Sequence, residues 1–78
     1  MQERTIKLSQ IQDVKDFVSA AGRCDFDIDI FYNRVIIDAK SILGVLSLDL
    51  RKVLTVEYSG EDEAFEEFLE KKAAVRVA

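Results

Sequence analysis

Three observations predict an α+β fold. Four short runs have the alternating or continuously apolar character of β-strands, and three stretches of helical spacing lie among and after them. Two of the β-type runs meet at Asn33-Arg34 as the arms of a hairpin do. The resulting order, β-α-β-β-α-β-α, lays helices on one face of a mostly antiparallel four-stranded sheet, an open-faced β-sandwich. With 78 residues, no proline and three glycines, the chain is expected to form one domain over 1–78 without a linker. A chain of this size buries about 60% of the surface it exposes when unfolded, so its core is marginal.

Taken in order, Thr5-Ile6-Lys7-Leu8 alternates polar and apolar and reads as the first strand. Ser9 or Gln10 then leads into a helix with Ile11, Val14, Phe17, Val18 and Ala21 on one stripe and Gln12, Lys15, Asp16 and Ser19 opposite. Gly22 stands where a left-handed C-terminal cap is expected. Between Asp25 and Asp38, Phe26, Ile28 and Ile30 alternate with Asp25, Asp27 and Asp29, and Val35-Ile36-Ile37 forms the return run. Asn33 tolerates the positive φ of a tight turn.

Asp38 to Leu50 organises the rest. Ser41 is placed to cap a short helix, with Ile42, Leu43, Leu46 and Leu50 on one stripe behind it. So short a helix does not stand alone, because nucleation is costly. It must lie on the sheet, and it can still show part of its stripe to a partner. Gly44 inside it costs about 1 kcal/mol against alanine, which signals a close approach. Leu54, Val56 and Tyr58 then point inward from the run Val53 to Tyr58. Ser59 or Gly60 caps the last helix, and Glu61, Asp62 and Glu63 suit the positive end of its dipole. Ala64, Phe65, Phe68, Leu69 and Ala73 form its inward stripe, with Lys71 and Lys72 near its end.

Composition removes several functions. The chain has no histidine and one cysteine, so the commonest general base is missing and a Cys/His zinc site cannot be built. No metal, no cofactor and no enzymatic activity is expected, and Asp13, Asp16 and Glu57 make no recognisable carboxylate pair. The net charge of −4 argues against nucleic acid. No run is long enough for a membrane span, Met1-Gln2-Glu3-Arg4 lacks the apolar core of a signal peptide, and a lone Cys24 suits a cytoplasmic protein.

Ala39-Lys40-Ser41-Ile42-Leu43-Gly44-Val45-Leu46-Ser47-Leu48 resembles the regulatory-serine segment of HPr, the small phosphocarrier of the bacterial sugar phosphotransferase system. Gly60-Glu61-Asp62-Glu63 is similar to the motif before that family's last helix, and Phe17-Val18 falls where its first helix carries core residues. The resemblance implies phosphotransfer through a Gly-Leu-His-x-Arg-Pro-Ala motif at the start of the first helix. Counting back from Phe17 puts Gln10 at the histidine and Gln12 at the arginine, with Ser9 and Asp13 at the leucine and proline. A glutamine cannot carry phosphate, so a divergent member without histidine phosphotransfer is implied.

What the resemblance leaves is regulation. In many HPr proteins of Gram-positive bacteria the serine matching Ser41 is phosphorylated by a dedicated ATP-dependent kinase, and the product acts as a co-regulator of carbon catabolite genes. Ile42, Leu43 and Leu46 match the family's partner-docking surface. The implied partner is a kinase or regulator of the phosphotransferase system, and the implied state a monomer or weak homodimer.

The same residues have plainer readings. Ser41 serves any helix as an N-cap, and Ile42, Leu43 and Leu46 suit an ordinary core. Asp25, Asp27 and Asp29 lie about 7 Å apart along a strand, too far for one ion to hold all three, and read as a solvated face that blunts a sheet edge. Phe31 and Ile36 fall on that face and, if exposed, suggest a dimer or partner contact. Cys24, with only Arg23 as a basic neighbour, does not read as a reactive thiol. The alternative function is a small α+β domain that oligomerises through its sheet and binds a small metabolite.

Overall fold

The computed structural model describes residues 1–74; the last four of the domain expected over 1–78 lie outside the described residues. Strands β1 (Gln2–Ile6), β2 (Ile28–Tyr32), β3 (Val35–Asp38) and β4 (Leu54–Tyr58) alternate with helices α1 (Ile11–Gly22), α2 (Ile42–Leu46) and α3 (Glu63–Lys71) in the predicted order. The four strands form one sheet in the order β1-β4-β2-β3, every neighbour antiparallel. The α+β open-faced architecture is therefore the one the sequence predicts. Asn33 makes the hairpin turn with φ of 54°, the left-handed conformation that asparagine tolerates better than most side chains.

One face of the sheet carries Ile6, Ile28, Ile30, Leu54, Val56 and Tyr58, all fully buried. Over them lie Val14, Phe17 and Ala21 of α1, Val45 of α2, and Phe65 and Leu69 of α3. Phe17 sits 6.2 Å from the Phe65 ring and 6.1 Å from Phe68. Tyr58 meets Phe65 edge-on at 5.3 Å, a favoured aromatic geometry. Its hydroxyl donates to the Glu66 carboxylate, which also accepts from Arg4 Nη2 at 2.7 Å. A buried phenol is thereby given a partner, as it must be. Gly60 admits the Phe26 ring, for a Cβ there would lie 2.4 Å from it.

Several element boundaries differ from expectation. β1 occupies Gln2–Ile6 and not Thr5–Leu8, because its pairing with β4 ends at Ile6 opposite Leu54. Lys7 N donates instead to Lys72 O at 2.9 Å, and Leu8 is buried outside the strand. β2 begins at Ile28, where its pairing with Tyr58 ends, so Asp25 and Asp27 precede it. It is an interior strand, so Asp29 guards no edge. Gly22 closes α1 without positive φ, and Arg23 is the C-cap at φ −82°. Ile11 is 62% exposed; at 100° per residue it stands about 120° round from Phe17, at the margin of the buried stripe. Ala20, by contrast, is buried. The cap of α3 is Asp62, whose Oδ1 accepts from Phe65 N at 2.9 Å, in place of Ser59 or Gly60. Ala64 and Ala73 are exposed and not part of the inward stripe.

Candidate functional site

α2 is the element that the sequence singles out, and its environment follows from five consecutive side chains. Ile42, Leu46 and Leu43 fall within about 100° of one another on the helix, while Gly44 and Val45 point the other way. The inward pair holds the helix down. Val45 is fully buried, and a Cβ on Gly44 would lie 2.6 Å from Ile37 Cγ2 of β3. Only glycine lets α2 approach the strand so closely. The outward three are therefore displayed, Leu43 at 79% exposure, Leu46 at 40% and Ile42 at 37%. The helix ends at Leu46, so Leu50 does not continue the stripe and is half-buried beyond it. Leu48, which the stripe omits, is buried.

Ser41 caps α2 as its position implies. It is exposed, its Oγ accepts from Gly44 N at 3.2 Å, and its carbonyl accepts from Val45 N at 3.0 Å. Lys40 is held back from it, donating from Nζ to Cys24 O at 2.9 Å. Asp38 accepts from Lys40 N at 2.9 Å. A hydroxyl at the surface, followed at once by three displayed apolar side chains, is what the structure brings together here.

α1 packs against α2, and its amino end is closed by its own acid. Gln10 is the N-cap. Asp13 Oδ2 accepts from Ser9 N at 2.9 Å and Gln10 N at 3.2 Å, the acid half of a capping box. Lys72 Nζ bonds Asp13 Oδ1 at 2.9 Å, and that bond with the two backbone donors holds the Asp13 carboxyl below the ordinary aspartate range. Gln12 is exposed and donates to Asp16 Oδ1 at 2.9 Å. Ser9 N and Gln10 N, at the entry to the helix, are thus already taken by a carboxylate. Cys24 is buried and its Sγ bonds Ala20 O at 3.5 Å; burial pushes its thiol pKa up, which disfavours the thiolate.

Among the described residues, no three acidic or cysteine side chains are grouped to hold a metal ion, and no helix is long and apolar enough to cross a membrane. Two shallow depressions are present among them. One of about 320 Å³ is lined by Gln2, Glu61, Asp62, Glu63 and Glu66. Another of about 440 Å³ lies between α1 and α3, lined by Asp16, Ser19, Arg23, Phe68, Lys71 and Lys72.

The family model for PTS-HPr, described as the PTS HPr component phosphorylation site, matches residues 11–74. The chain belongs to the HPr family. Solved structures of HPr share the fold. HPr-C-His from Thermoanaerobacter tengcongensis superposes with a TM-score of 0.74 at 24% identity, covering 91% of this chain and 93% of that one. The phosphocarrier protein HPr from Bacillus anthracis str. Ames gives a TM-score of 0.70 at 27% identity, covering 91% of this chain and 95% of that one. HPr is a phosphocarrier of the phosphotransferase system, a protein acted on by partners and not itself a catalyst. This HPr-family chain contains no histidine. Sequence reasoning missed the capping acid Asp13, although an acid three residues after Gln10 was the available signal.

Proposed function

We propose that this chain is a regulatory, protein-binding member of the HPr family that has lost histidine phosphotransfer and is switched at Ser41. The observation that carries this reading is the placement of an exposed capping hydroxyl directly before Ile42, Leu43 and Leu46, which α2 displays to solvent. Three large apolar side chains side by side are left partly exposed, and such patches mark interaction sites. A kinase would transfer the γ-phosphoryl of ATP to Ser41 Oγ, releasing ADP and the hydroxyl proton. The product adds nearly two negative charges at the amino end of α2, where the first backbone N–H groups point outward. The docking surface then presents an anion beside an apolar patch.

The lack of any histidine in the chain supports the loss of the carrier role. The gap-free count back from Phe17 puts Gln10 at the family's histidine position, and its amide is no phosphoryl acceptor. Asp13 occupies two backbone donors at the helix entry, Ser9 N and Gln10 N, and its negative charge repels a second anion there. The partner is a kinase or regulator of the phosphotransferase system. Titration calorimetry of the chain against an HPr kinase tests the docking surface, with Leu43→Glu as the variant. The reading expects binding that falls about tenfold or more in the variant, as for the loss of a central interface anchor. Undiminished binding by Leu43→Glu removes α2 from the interface.

A further inference from the structure

On the side of the sheet away from the helices, the register draws side chains into rows that cross all four strands. Glu3 of β1 lies opposite Glu57 of β4, Glu57 opposite Asp29 of β2, and Asp29 opposite Asp38 of β3. Their strand neighbours Ile28, Ile30, Val56 and Tyr58 are buried beneath the helices, so alternation sends the acids outward. Opposite residues stand about 5 Å apart at Cβ, which makes a continuous carboxylate row about 14 Å long. Like charges directly opposite destabilise a strand pair, and here three such oppositions follow one another. Among the described residues, none of the four forms an ion pair. Arg4, next to Glu3 in β1, turns to the helix side instead, where it pairs with Glu66 and Glu70 of α3.

The adjoining row has a different chemistry. Thr5 lies opposite Thr55, Thr55 opposite Phe31, and Phe31 opposite Ile36. Thr55 is buried, Phe31 half-buried and Ile36 65% exposed. The acidic row is therefore bordered, over β2 and β3, by the half-buried Phe31 and the exposed Ile36.

We propose that this open sheet face docks a basic segment of another protein, one that lays lysine or arginine side chains along Glu3, Glu57, Asp29 and Asp38 and an apolar side chain over Phe31 and Ile36. Charge complementarity selects that occupant. A second copy of this chain would bring two carboxylate rows together, and a nucleic acid would bring phosphates to them. A cationic segment relieves the repulsion that the fold itself leaves standing. The face lies across the sheet from α2 and meets the Ser41 turn only at Asp38, whose Oδ1 accepts from Lys40 N, so it can be occupied while α2 is engaged.

The test is a titration of the ¹⁵N-labelled full chain with a short synthetic peptide of alternating lysine and leucine, followed by amide shifts. Saturable shifts are expected at Glu3, Asp29, Phe31, Ile36 and Glu57, with Leu43 and Val45 unmoved and no binding by the peptide carrying glutamate for lysine. Asp29→Asn combined with Glu57→Gln should lower affinity about tenfold, from the loss of several exposed pairings, and should raise Tm by removing like-charge oppositions. Ile36→Ser should weaken binding with the acidic row intact. The proposal is overturned by shifts centred on α2, by affinity unchanged in the double variant, or by no saturable binding. A Tm lowered in the double variant would show that the carboxylates serve the fold, which also overturns it.

Discussion

Gly44 sets two residue-scale effects against each other. Alanine there gains about 1 kcal/mol of helix propensity, but its Cβ would lie 2.6 Å from Ile37 Cγ2, and overpacking of that kind costs about 1–3 kcal/mol. Ile37 is β-branched and stiff at χ1, so the methyl cannot turn away freely. Gly44→Ala should therefore lower the urea midpoint; a raised midpoint would mean that α2 can lift from β3 without loss. Asp13 gives a pH signature. Lys72, first among the causes, depresses its folded pKa together with the Ser9 and Gln10 amides. A depressed carboxylate contributes stability that is full above the ordinary aspartate pKa of about 3.9 and is lost as pH falls through the lower folded value. Asp13→Asn should flatten the fall in stability below about pH 4 seen in urea titrations. An unchanged acid limb would show that the Lys72 pairing carries no weight in solution. Gly44 and Asn33 were legible because each answers a local backbone demand. The pairing of Asp13 with Lys72 was not, since Lys72 reaches it from 59 residues away.

At the scale of elements, α1, β4 and the β2–β3 hairpin were legible because their apolar period is long enough to define a face. α2 was less so. In Ile42-Leu43-Gly44-Val45-Leu46 apolar residues occupy both sides of a helix barely longer than one turn, so periodicity alone does not separate core from surface. The tertiary neighbour decides, through Ile37 against Gly44. Val45→Ala should accordingly cost about 2 kcal/mol as a buried deletion, whereas Leu43→Glu should stay within about 0.5 kcal/mol of the parent. Chemical denaturation of the two variants checks this, and a large loss in Leu43→Glu would mean that α2 buries its outer face. The ends of β1 and β2 escaped the sequence for a related reason. The pairing of β4 stops at Leu54 and Tyr58, a non-local limit that no stretch of β1 or β2 encodes.

For the whole molecule, the architecture assigns different work to the two sides of the sheet. One side buries the core beneath three helices and ends, at α2, in a displayed apolar patch beside Ser41. The other carries the carboxylate row. HPr membership, legible in the segment Ala39 to Leu48 and borne out by the family match over residues 11–74, supplies the fold without the histidine that carries phosphate. The sequence could not order the four strands or bring Glu3, Glu57, Asp29 and Asp38 into one row, because that row exists only once β4 pairs with both β1 and β2. The most direct measurement of the regulatory reading is intact mass after incubation with an HPr kinase and ATP, on the parent and on Ser41→Ala. One phosphoryl group on the parent and none on the variant is the predicted result. No addition to a folded parent, by a kinase active on a true HPr, would contradict the Ser41 switch.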